Sequence, residues 1–236
     1  MLWQKSWWDT RELFLLNLAV MTFICVLIMG VAIKPDSADY QRTVWVVWFR
    51  WVMTFWWPVL ALFMGITFLR SFPRFDMPAA APGLFTLSLP VTRRRIFLSH
   101  WAVIMLEMAA ISLASAPLIS IISRLNGGWF PMKEAFLYSL FIGIGGMAFV
   151  SLSSLLIVIF KNNAWAIIGP VVAVNIVLHW PQWLIERYPW WNVYHAMSGE
   201  SYFHYGEIPW LGLLASLAVS ALMVFAAARV YERLDF

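Results

Sequence analysis

Read for its apolar and polar positions, the chain falls into six long apolar runs with brief interruptions. They extend from about Leu13 to Ile33, Val44 to Leu69, Ile96 to Ile122, Ala135 to Phe160, Ala164 to Trp180 and Pro209 to Ala228. Each has room for a helical crossing of a bilayer, which takes about 17–25 residues. The breaks carry helix-stopping chemistry. Lys34-Pro35-Asp36 follows the first run and Lys161-Asn162-Asn163 the fourth. Pro73, Pro78, Pro82 and Gly83 exclude one continuous helix through the 70–95 loop, and a shorter loop covers 123–134. Gly169-Pro170 predicts a kink in the fifth run. The alternating segments of about ten residues that build a membrane barrel are absent. The expected fold is therefore all-α: a polytopic membrane protein with six transmembrane helices in a single transmembrane domain spanning residues 1–236.

The polar and aromatic positions between the runs predict how the ends meet the membrane. In residues 1–12, Trp3 and Trp7 share a helical face and are mixed with Lys5, Asp9, Arg11 and Glu12, a combination suited to lipid headgroups. This predicts an interfacial helix ahead of the first span. Trp45, Trp48, Trp51, Trp56 and Trp57 crowd the first half of the second span as an aromatic belt does. Residues 181–208 hold Trp183, Tyr188, Trp190, Trp191, Tyr194, Tyr202, Phe203 and Tyr205, broken by Pro181 and Pro189. They predict an outer interfacial or re-entrant segment, serving as a belt or as a gate.

Composition agrees. Of 236 residues 62% are hydrophobic and 12% charged, about half the charged fraction of a soluble domain, and the mean hydropathy is +0.76. The net charge of +4 fits arginines on one membrane face better than nucleic-acid binding, and no nucleic-acid partner is expected. Six spans place both termini on one side. With them lie Lys5, Arg11, Arg70, Arg74, Arg93, Arg94, Arg95, Lys161, Arg229 and Arg233, against Lys34, Arg42, Arg124, Lys133 and Arg187 opposite. That asymmetry predicts a multi-pass protein of the cell's inner (plasma) membrane with both termini in the cytoplasm. The single cysteine, Cys25, can form no internal disulfide and has no metal-ligand neighbour in sequence.

The stretch from Leu84 to Val103 stands out among the loops. Leu84, Phe85, Leu87 and Leu89 are too few to cross a membrane but enough for a short helix with one face free to dock in a groove. Pro90 ends that element, Thr92 is placed to cap the third span, and Arg93, Arg94 and Arg95 fill its first turn. Cations there oppose the helix dipole by some tenths of a kcal/mol each. Anionic membrane lipids, at about 1 kcal/mol per arginine, or carboxyl groups of a partner protein would offset this.

Thr86-Leu87-Ser88-Leu89-Pro90-Val91-Thr92-Arg93-Arg94-Arg95-Ile96 resembles the Leu-Pro-Val-Ser/Thr-Arg signature of the ABC-2 type permeases, the membrane subunits of one class of ABC exporters. The order of elements along the whole chain is similar as well. The resemblance implies that residues 84–92 form a cytoplasmic coupling helix riding on an ABC ATPase subunit, with Leu84, Phe85, Leu87, Leu89, Pro90, Arg93, Arg94 and Arg95 as the coupling residues. It implies two ATPase copies, a second permease protomer in a homodimer or heterodimer, and an outer segment dipping into the membrane between spans five and six. Its cargo would be hydrophobic or amphipathic: a lipid, a peptide or a drug. The chain has no G-x-x-x-x-G-K-[ST] loop, so it is not expected to be an enzyme. ATP and Mg would be bound by the partner, and no cofactor is expected in this chain.

Arg50 and Glu107 are the ionisable residues most clearly inside spans. Such residues are costly and face a partner or water. Arg50 lies about six residues from the outer end of span two, and Glu107 about eleven residues into span three, near mid-membrane, within reach of a long arginine side chain if these helices are neighbours. The pair is a candidate charge pair or part of the pathway. Ser139, Gly143, Gly146, Ser151, Ser153 and Ser154 of span four permit close helix approach, either within the chain or across a dimer interface. Asn17 and Asn175 suit interhelical hydrogen bonds. The alternative from another class is a non-transporting membrane scaffold or a haem-handling membrane subunit, prompted by His100, His179, His195 and His204 and by the Trp7-Trp8-Asp9-Thr10-Arg11 string. H-E-x-x-H and G-x-S-x-G are absent.

Overall fold

The structure is a computed structural model describing residues 2–31, 59, 92–125, 131–160, 196–197, 199, 202 and 206–233. Four long helices carry almost all of these: α1 (Leu2–Val31), α2 (Arg93–Leu125), α3 (Met132–Ile159) and α4 (Trp210–Glu232). Among the described residues there is no strand. Among the described residues three helices, α2, α3 and α4, are long and apolar enough to cross a membrane. They coincide with the third, fourth and sixth apolar runs. The second and fifth runs, the 84–91 stretch and most of 181–208 lie outside the described residues.

α1 joins the expected interfacial helix and first span in one element with no break at Glu12-Leu13. Nothing in the sequence stops a helix there, since neither glycine nor proline occurs before Gly30. The amphipathicity of its first turns is inverted relative to a soluble helix. Ser6 and Thr10 are buried, whereas Trp7 and Trp8 are exposed. α2 opens on the Thr92 carbonyl, which accepts from the backbone N–H groups of Arg95 (2.9 Å) and Ile96 (3.2 Å). It continues through Pro117 to Leu125, with the proline on an exposed position. Prolines also open the other two helices: the carbonyls of Pro131 and Pro209 accept from Ala135 (3.1 Å) and Leu213 (3.0 Å). Glu134 in the first turn of α3 and Arg229 in the last turn of α4 have the signs the helix dipole favours.

Side-chain bonds fix the directions. Ser6 meets His100 and Thr10 meets Glu107, so α1 and α2 run the same way. Ser112 and Ser115 of α2 meet Ser139 of α3, and a Cβ at Gly143 would lie 2.8 Å from Ser112 Oγ, so α2 and α3 are antiparallel. Phe141 shares a cluster with Leu213, and Ser151 bonds Ser220 at 2.6 Å, so α3 and α4 run the same way. The Phe97 and Tyr231 rings, 5.7 Å apart, bring the start of α2 to the end of α4.

α3 is the central helix. Ser139, Gly143, Gly146, Ser151, Ser153 and Ser154 are all buried inside this one chain. Of the two uses expected for those small residues, the structure shows packing within the chain. Ser115 to Ser139 (2.8 Å) and Ser151 to Ser220 exchange hydrogen bonds where the backbones approach closely. The main core gathers Met21, Cys25, Phe97, Ile104, Ile119, Tyr138 and their neighbours. Met197 joins it, fully buried against Gly145, midway along α3. Ala196 and Tyr202 pack nearby against Phe141 and Leu213, and Gly199 and Gly206 take the positive φ that lets the chain turn beside them.

Candidate functional site

Two features share one end of the bundle. The first is the arginine foot of α2. Arg94 and Arg95 are exposed, Arg93 is half-buried, and the next turn anchors Phe97 on Tyr231. Arg229 and Arg233 of α4 lie at the same end, as does Lys5 of α1. Of the residues expected to couple to an ATPase, only these three arginines are described. Leu84, Phe85, Leu87, Leu89 and Pro90 lie outside the described residues, and so does Arg50.

The second feature is a polar seam between α1 and α2, immediately above the arginines. Ser6 Oγ and His100 Nδ1 share a 2.6 Å hydrogen bond. One turn on, the Thr10 hydroxyl donates to Glu107 Oε1 and lies 3.0 Å from the Ser6 carbonyl oxygen. All four residues are buried, Glu107 to 2% exposure and Thr10 to 0%. Lys5 stands within electrostatic reach of His100. Glu107 Oε2 is buried and has no hydrogen-bond partner among the described residues. A buried carboxyl oxygen without a partner costs about 1–3 kcal/mol, so this atom is poised to accept a bond.

The neighbours of Glu107 on α1 bear on the mid-membrane position expected by counting from Ile96. Arg11 and Glu12, next to its partner Thr10, are exposed, and the Arg11 guanidinium stacks 3.8 Å over the Trp8 ring. Exposed charge beside exposed tryptophan belongs at headgroup level. On α2, Leu106 is the first exposed apolar residue after the arginines. With 33 residues α2 measures about 50 Å against about 30 Å of hydrocarbon. The pairing with Thr10 sets Glu107 beside those exposed charges of α1.

Sequence reasoning missed Ser6 and Thr10. A signal was present, because Ser6, Thr10 and Asn17 fall on one helical face, as do His100 and Glu107. Asn17 is also buried, at 4% exposure. His100 is engaged with Ser6, and the other three histidines lie outside the described residues. Among the described residues no three His, Cys, Asp or Glu side chains group as metal ligands. The sequence matches no protein-family model and no curated protein.

Proposed function

We propose that the chain is the transmembrane permease subunit of an ATP-driven exporter of the ABC-2 type, moving a hydrophobic or amphipathic cargo with energy from a separate ATPase. The observation that carries this is the Leu89-Pro90-Val91-Thr92-Arg93-Arg94-Arg95 string at the head of a membrane-length helix. Two of its arginines, Arg94 and Arg95, are exposed at the bundle end, and Arg93 is half-buried. Two features support it. Same-direction neighbours need an odd number of crossings between them, and one apolar run stands in each interval, 44–69 between α1 and α2 and 164–180 between α3 and α4. That parity fits six spans. Lys5, Arg11, Arg93, Arg94, Arg95, Arg229 and Arg233 gather at one end and Arg124 and Lys133 at the other, which fits a cytoplasmic location for the former.

The test is affinity purification in mild detergent with mass spectrometry, beside a variant carrying Leu87→Asp and Leu89→Asp. The expected result is an ATPase with a phosphate-binding loop that accompanies the native chain and is lost from the variant. If gentle extraction brings no ATPase, the proposal fails and the arginine foot reverts to a lipid anchor.

A further inference from the structure

We propose that Glu107 is a binding site for the primary ammonium group of an amphiphile, entered from the membrane boundary at the foot of α1 and α2. Glu107 carries an acceptor that no described residue fills. Thr10 holds Oε1 and so fixes the carboxyl group, and Oε2 stays buried with no partner among the described residues. Among the described residues no lysine or arginine meets this oxygen. With Glu107 ionised, the group that satisfies this oxygen donates hydrogen bonds, as an anion cannot. A multiply coordinated metal ion is disfavoured too, since no set of three metal-binding side chains surrounds the site among the described residues. An ammonium group supplies donors and a countercharge together, and charge-assisted bonds of that kind are the strong ones.

The surroundings specify the rest of the ligand. Leu106, beside Glu107 on α2, is 60% exposed, and Trp7, one turn before Thr10 on α1, is 43% exposed. An acyl chain can lie on this apolar and aromatic surface while its head group turns inward between the helices. The exposed Arg11 and Glu12 mark the depth at which lipid headgroups sit, so the ammonium group need not leave its own layer to reach Oε2. The chemistry is shared by an aminophospholipid headgroup and by a free long-chain amine. The site stands on the α1–α2 seam alone, and only its use for cargo rests on the exporter reading.

The experiment uses the full chain in phosphatidylcholine vesicles with a diazirine-bearing hexadecylamine, and in parallel the same chain ending in a hydroxyl. Crosslinked peptides are mapped by mass spectrometry. The amine is expected to label the peptides carrying Thr10 and Glu107 saturably, and the alcohol without saturation. Glu107→Gln keeps an acceptor for Thr10 and should raise the half-saturating amine concentration about tenfold or more. Glu107→Asp keeps the charge and should retain saturation, which separates loss of binding from loss of folding. Adding phosphatidylethanolamine assigns the occupant. Competition identifies the lipid headgroup and its absence a free amine, and either supports the site. Equal behaviour of amine and alcohol, or an unchanged half-saturation in Glu107→Gln, overturns it. No ATPase is needed, so this outcome is separable from failure of the exporter proposal.

Discussion

Changing Gly145 to alanine probes how deeply the segment before α4 is seated in the bundle. A Cβ at this position would stand 1.9 Å from Met197 Cγ, 2.6 Å from its Sδ and 3.3 Å from its Cβ. Ordinary carbon contacts need about 3.5–4.0 Å. Met197 is fully buried, so its side chain must move by about 2 Å within a filled core. Overpacking of this kind costs about 1–3 kcal/mol. Met197→Ala alone should cost about 2–5 kcal/mol by opening a void. The two changes should not add. The alanine methyl enters the space that Met197 vacates, so the double variant should be no less stable than Met197→Ala, a favourable coupling of about 1–3 kcal/mol. Equilibrium unfolding in mixed micelles with increasing dodecyl sulfate, followed by circular dichroism, measures all three. A neutral Gly145→Ala, or strictly additive losses, would refute the seating of Met197 against α3.

The polar seam and the core offer two further tests. Thr10→Val leaves both Glu107 oxygens buried without a partner and should cost about 1–3 kcal/mol in the same unfolding assay, whereas Thr10→Ser, which keeps the hydroxyl, should stay within about 0.5 kcal/mol. Equal losses in the two variants would count against the Thr10–Glu107 bond. Cys25 is the only cysteine in the chain and is fully buried. A maleimide should therefore leave the native protein in detergent unlabelled and label it fully once dodecyl sulfate has unfolded it; rapid labelling of the native form would contradict the packing of α1 on α2.

The apolar runs were legible because length and hydropathy alone set α2, α3 and α4, and prolines at 131 and 209 mark where two of them begin. The arginine foot was legible for the same reason, since three consecutive cations have no place inside a bilayer. What the sequence concealed is which face of each helix turns inward. In the first turns of α1 tryptophan invites burial and serine exposure, yet Ser6 and Thr10 face α2 while Trp7 and Trp8 face outward. Lipid is as apolar as a protein core, so hydrophobicity no longer separates inside from outside, and small hydroxyl residues mark helix contacts instead. The same logic resolves the serines and glycines of α3, whose spacing fits contact within the chain or between chains equally well. Depth is less legible than burial. Counting from Ile96 sets Glu107 near mid-membrane, whereas its partner Thr10 stands beside the exposed Arg11 and Glu12, a pairing that the sequence alone does not show.

The grip on α2 changes along its length, and this bears on how a push at its foot would travel. Near the arginines it is joined to α1 by two polar rungs, Ser6–His100 and Thr10–Glu107, and to the end of α4 by Phe97 on Tyr231. Higher up it is joined to α3, where Ser112 and Ser115 meet Ser139 beside Gly143. Hydrogen bonds and close glycine contacts have short tolerances, whereas aromatic rings 5.7 Å apart slide at little cost. On the exporter proposal, force applied next to Thr92 passes to α1 through the two rungs and to α3 through the serine contacts, and the ring contact with α4 is the one free to slip. A cationic group bound at Glu107, in the α1–α2 seam, would then ride with the helices that are gripped, not with α4.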